Sequence, residues 1–170
     1  DLEANFLNFT KKLNLPEDWN QQKPSKLWLY NLHYFDCLIE KNSRHKRDFH
    51  LKLIDMWIKD NPFGCGYGWD PYPTSLRIIN ILKAWLCGLD INKRAFESLH
   101  IQANYLFKNT ERHLLGNHYF TNLKALLFAG IIFKEMPWLD LANSELLKEL
   151  EVEKMGLQCF VLQDYLKNIV

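Results

Sequence analysis

Apolar residues recur along most of this chain with the 3.6-residue period of amphipathic helices. Trp28, Leu32, Phe35 and Ile39 form one such series, and Phe49, Leu53, Met56 and Trp57 form a second after the basic turn NSRHKR. A third helix is predicted to begin with Thr74 as N-cap after Pro73 and to close at Gly88, with Leu76, Ile79, Leu82 and Leu86 on one face. A fourth is predicted from about Lys93 to Leu115, with Phe96, Leu99, Ala103 and Leu106 inward. The fifth opens at Asn117 and is apolar on most of its circumference, so Leu123, Leu127 and Phe133 are expected deep in the core. Two weaker helices follow, Trp138 to Leu150 and Leu157 to Ile169. No run alternates with period two for long enough to argue a sheet. The expectation is therefore an all-α chain of antiparallel helix pairs, which close into a bundle or curve into a toroid.

Two segments break the helical pattern and carry candidate chemistry. The loop Asn61 to Pro73, NPFGCGYGWDPYP, holds three glycines, three prolines and four aromatics in 13 residues. Tyr67, Trp69 and Tyr72 are of the type that stacks on sugar faces, and Asp70 is of the type that binds hydroxyls. They serve equally well as a seal over the core. The stretch GNHYFTNLKALLFAG, Gly116 to Gly130, puts Asn117 and His118 at a helix N-terminus, where backbone amides and the positive end of the dipole favour an anion. Asn117 would also serve simply as an N-cap, a role worth about 1 kcal/mol.

Composition narrows the classes. The 170 residues, 48% hydrophobic, are enough for a single domain that buries its own core. With 21 Lys and Arg against 20 Asp and Glu, the chain lacks the basic excess of a nucleic-acid binder. Its longest apolar run, Leu123 to Phe133, is interrupted by Lys124 and too short to span a bilayer. The opening DLEANF has neither an initiator Met nor a signal-peptide pattern and reads as a processed chain or fragment. Cys37, Cys65, Cys87 and Cys159 lie 28, 22 and 72 positions apart, and the six histidines lack the spacing of a helical metal pair. No metal or cofactor is expected.

Three blocks together resemble a known family. NLHYFD (Asn31 to Asp36), GWDPYPTSLRIIN (Gly68 to Asn80) and HLLGNHYFTNLKALLFAG (His113 to Gly130) are similar, in the family's order, to the helical domain of heparinase II/III-like polysaccharide lyases. The resemblance covers most of Trp19 to Leu150. It implies an incomplete α/α toroid, residues 1–170 forming part of that helical domain. A C-terminal β-sandwich domain is expected in the parent protein, and the compartment is periplasmic or extracellular if the parent follows the polysaccharide-degrading members. The implied partner is an acidic, uronate-containing polysaccharide such as a glycosaminoglycan, with neither nucleic acid nor a membrane span involved.

The implied reaction is β-elimination, in which the proton α to the uronate carboxylate is removed and the glycosidic bond on the neighbouring carbon breaks. That proton is acidic only when the carboxylate charge is offset by positioned donors, the physics of an oxyanion hole. Asn117 matches the family's Asn in this role, with His118 beside it as second donor or general base. Trp69, Asp70, Tyr72, Arg77 and Tyr119 are carried over as substrate-binding residues. Trp69, Tyr72, Arg77, Asn117 and His118 are expected to face one concavity.

The chain departs from the family's pattern after Leu150. The Tyr-His pair that supplies the general acid/base Tyr is missing from EVEKMGLQCFVLQDYLKNIV, and Tyr165 falls on the later helix. Tyr119 and Tyr72 are the available substitutes. The alternatives are a non-catalytic acidic-glycan-binding or scaffold domain, and an α/α-toroid glycoside hydrolase. The hydrolase needs two carboxylates across the cleft, with Asp70 and Asp36 the candidates.

Overall fold

The computed structural model describes residues 2–21, 25–114 and 117–148. These residues are mostly helical. Helices α1 (Lys26–Tyr34), α2 (Arg47–Asp60), α3 (Pro71–Leu86), α4 (Lys93–Lys108) and α5 (Asn117–Phe133) are followed by helical residues 136–148, here α6. The expected helix Leu157 to Ile169 lies outside the described residues.

An antiparallel hairpin, β1 (Glu3–Phe6) and β2 (Phe9–Lys12), precedes the helices and corrects the expectation that no sheet would form. Its strands are four residues each, and its turn, Leu7-Asn8, has both φ values positive without the usual glycine. Tertiary contacts hold it instead. The rings of Phe6 and Phe9 meet the Trp28 indole edge-on at 5.3 and 6.2 Å, and the Trp28 Nε1–H donates to the Phe9 carbonyl at 3.0 Å. Lys11 pairs with the buried Asp18 at 2.7 Å. Against the upward pull of burial, that contact and the Asn14 N–H hold the Asp18 carboxyl below its usual range.

Helix α3 is the central element, packed against α1, α4 and α5 and buried on nearly all sides. It begins at Pro71, three residues before the expected Thr74 cap, because prolines at 71 and 73 fall in the first turn, where the missing N–H leaves no bond unmade. Thr74 is instead enclosed, and its hydroxyl donates to the Gly68 carbonyl at 3.1 Å.

Other boundaries also shift from the pattern. Helix α1 stops at Tyr34 because Phe35 turns left-handed (φ 61°), and burial of its ring beside Trp19 offsets that unfavourable backbone. Helix α4 ends at Lys108 rather than Leu115. There the Asn109 amide takes the Tyr105 carbonyl at 2.8 Å, a bond that competes with the helix. At its other end, the Asn92 side chain caps α4 by accepting from the Ala95 N–H at 2.9 Å.

On α5 the inward stripe is Tyr119, Asn122, Leu123, Ala125, Leu126, Ala129 and Gly130. Leu123 is fully buried as expected, but Leu127 and Phe133 are only half-buried, because the stripe that α3 and α4 cover is centred one residue away from Leu127. Truncating Leu126 to Ala should therefore cost about 2–5 kcal/mol and Leu127 to Ala clearly less. Urea unfolding of the two variants checks this; equal losses would contradict the register.

Candidate functional site

The first turns of α3 and α5 meet at one point, and α1 lies alongside. Tyr72, from the start of α3, stacks on the His118 imidazole from the start of α5, with ring centroids 4.3 Å apart and planes at 25°. Tyr34 of α1 meets Tyr72 edge-on at 5.8 Å. His118 is 41% exposed, and its Nδ1 lies 3.3 Å from the Glu111 carboxylate, which is 13% exposed. With Nδ1–H given to Glu111, Nε2 is left as the bare nitrogen able to accept a proton. Asn117 stands exposed beside it on the same first turn, and its side chain makes no hydrogen bond among the described residues.

Glu111 is held from behind. Its backbone N–H donates to the Asn122 Oδ1 at 2.8 Å, and the Asn122 amide donates to Glu111 at 3.4 Å and to Ser75 Oγ at 3.0 Å. Asn122 and Ser75 are fully buried, so this chain of bonds ties the 109–114 segment to α5 and α3 and sets where the carboxylate points.

Along α1 the polar strip continues. The Asp70 carboxylate accepts a short hydrogen bond from the Tyr30 hydroxyl and pairs with Lys26 at 3.1 Å. Burial and the Asp70 contact push the Tyr30 phenol up to about 12, and the Tyr30 and Asp70 contacts raise Lys26. Lys26 also sits over the rings of Tyr30 and Tyr67, at 5.0 and 5.7 Å. Burial and the neighbouring Tyr72 and Tyr30 raise the Tyr34 phenol above its usual range.

No family model, curated protein or solved structure matches the chain. Among the described residues no helix is long and apolar enough to cross a membrane, and no group of three His, Cys, Asp or Glu is placed to hold a metal ion.

The expected site residues divide into two sets. Asn117, His118 and Tyr72 come together, and Asp70 joins the same strip. Arg77 does not. It is fully buried, its guanidinium 3.7 Å from the Trp57 ring centroid and bonded to Gln102 at 2.8 Å, the His33 carbonyl at 3.3 Å and Thr74 at 3.4 Å, so it has no surface to offer a substrate. Trp69 is 4% exposed among Trp57, Phe63 and Tyr105, and lines a separate cavity of about 230 Å³ whose wall includes none of Tyr72, Asn117 or His118. Tyr119 is buried, and its hydroxyl donates to Glu145 at 3.1 Å; burial and that contact raise the phenol above its usual range. Arg77 and Trp69 therefore do not join Tyr72, Asn117 and His118, and Tyr119 leaves the substrate-facing set.

Sequence reasoning missed Glu111 and Asn122. Glu111 falls inside the helix expected to run to Leu115, where its side chain would have pointed along α4. The signal available was Asn122, a polar residue on the otherwise apolar inner face of α5.

A buried His33 underlies the site. The Trp57 Nε1–H donates to its Nδ1 at 2.9 Å, so Nε2 carries the hydrogen and donates to the Trp19 carbonyl at 2.9 Å. Burial, with the nearby Arg77 charge, pushes this imidazole down to about 3. The unfolded chain binds a proton at His33 near pH 6.5 and the folded chain does not, so stability is full above that pH and falls as pH drops from about 6.5 toward 3. Between pH 6 and 4.5 the slope from this residue should approach about 1.4 kcal/mol per pH unit. His33→Gln should remove that share of the slope in urea unfolding series, and an unchanged slope would show that His33 is protonated in the folded state.

Proposed function

We propose that this chain is the incomplete α/α-toroid portion of a uronate polysaccharide lyase, built to hold an acidic polysaccharide at the α3/α5 junction. The observation that carries the reading is the set formed by Asn117, His118, Tyr72 and Glu111. An uncommitted amide and an imidazole with a free Nε2 project from one helix N-terminus, beside an aromatic face. In this reading Asn117 and the α5 amides offset the uronate carboxylate, and Glu111 fixes the His118 tautomer. His118 Nε2 faces the proton on the carbon α to that carboxylate. As that proton leaves, the glycosidic bond on the adjacent carbon breaks, and the departing oxygen must receive a proton from an acid.

The acid is the weak point. The 170 residues contain no Tyr-His pair. Tyr119 and Tyr30 have their hydroxyls on Glu145 and Asp70, which leaves Tyr72 as the substitute nearest His118. These commitments favour the second reading, an acidic-glycan-binding domain without turnover. Hydrolysis is disfavoured, because Asp70 is bonded to Tyr30 and Lys26 and Asp36 accepts from Asn80 at 2.8 Å.

Binding and turnover should come apart. The chain should bind uronate oligosaccharides weakly by calorimetry while an ultraviolet assay for unsaturated product stays near background, since acid/base catalysis contributes about 10²–10⁴-fold. Asn117→Ala and His118→Ala should each weaken binding roughly fivefold, about one hydrogen bond. Robust elimination would show the acid to be present in this chain. Reducing ends without ultraviolet absorbance would replace lyase chemistry with hydrolysis. Unchanged affinity in Asn117→Ala would remove the amide from the site.

A further inference from the structure

A second cavity, of about 420 Å³, lies between the start of α2 and the end of α3. That volume suits a small molecule. Its polar wall is basic: Arg44, Arg47, His50 and Lys83, with no Asp or Glu lining it. Among the described residues none of Arg44, Arg47 or Lys83 has a carboxylate within ion-pair distance; Arg47 donates to the Gly88 carbonyl instead. Asp48, the acid in the first turn of α2, is not part of the wall.

The decisive feature is His50. It is 2% exposed, it lines the cavity, and its Nε2 finds no hydrogen-bond partner among the described residues. A buried ring nitrogen left unpaired costs about 1–3 kcal/mol, a cost that a small shift of this cavity-lining ring toward a ligand would recover. The α2 N-terminus adds to this, since its N-cap position, Lys46, provides no side-chain acceptor for the first-turn amides. Ser43 adds a hydroxyl to the polar side, and the opposite side is apolar: Leu38 and Leu89 are buried, while Ile39 and Leu86 are exposed.

We propose that this cavity is a binding site, distinct from the α3/α5 junction, for a small amphiphile that carries a phosphate or carboxylate on an apolar body. The anion lies among Arg44, Arg47 and Lys83, beside the His50 ring. The apolar body covers Leu38 and Leu89 and extends past Ile39 and Leu86, which explains two exposed aliphatic side chains beside three cations. An uncharged sugar ring matches neither half of the wall.

Calorimetric titration of the 170-residue chain with hexyl phosphate, inorganic phosphate and hexyl glucoside tests this. Hexyl phosphate should bind at least tenfold more tightly than either control. The double variant Arg44→Ala/Lys83→Ala, whose side chains are outside the core, should lose at least tenfold. The His50 ring ¹⁵N resonances should shift with hexyl phosphate and hold still with hexyl glucoside. Co-sedimentation with phosphatidic acid vesicles distinguishes the sources: hexyl phosphate displacing bound protein from vesicles assigns the headgroup of a lipid, and protein that ignores vesicles while binding hexyl phosphate assigns a soluble ligand. Hexyl phosphate binding no better than hexyl glucoside, binding unchanged in the double variant, or unmoved His50 resonances would each overturn the site.

Discussion

Arg77 is a fully buried guanidinium with no carboxylate partner among the described residues, and the arrangement of four helices depends on how its charge is accommodated. Burial opposes that charge, and an uncompensated ion inside a protein costs several kcal/mol. Here the compensation comes from the Trp57 face and from three oxygens, those of Gln102, the His33 backbone and Thr74. The ring face and these acceptors belong to α2, α4, α1 and α3 respectively. Moving any one helix by an ångström leaves part of the guanidinium unsatisfied, so the charge acts as a register pin for the core.

His33 extends the same constraint outward. Its ring takes the Trp57 indole hydrogen, gives its own to the Trp19 carbonyl, and stacks on Trp19 at 5.4 Å. The loop leading into α3 packs directly on this ring. A Cβ at Gly68 would stand 2.6 Å from His33 Nδ1, so only glycine lets the backbone pass. Two residues earlier, Gly66 turns at φ 78°, and a Cβ there would strike the Asn20 amide that receives the Tyr67 N–H. The start of α3 is thereby set against α1, and with it Asp70 and Tyr72.

The candidate site is built on that rigid entry rather than on the loop itself. Tyr72 is presented by α3, and His118 by α5. Ser75, Asn122 and Glu111 form a buried relay that joins the two helices directly beneath them. Polar residues thus do two kinds of work a short distance apart: Arg77 and Asn122 are enclosed and hold helices together, while Asn117 and His118 keep free hydrogen-bonding capacity at the surface.

The existence of the helices, though not their ends, was legible in the apolar pattern, because the 3.6-residue period is a local property. The sequence also brought Asn117, His118 and Tyr72 forward as candidates, since a helix start and an aromatic loop are visible in short windows. Which polar residues face in depends on the packing of helices far apart in sequence. Arg77, Trp69 and Tyr119 have the same residue chemistry whether they line a cleft or fill a core, and only the positions of the neighbouring helices distinguish the two. Glu111 reached His118 across a chain break in helicity that the apolar pattern ran straight through. The hairpin escaped notice for a related reason: four-residue strands have too little alternation of their own, and their stability comes from Trp28, which is distant in sequence and adjacent only after folding.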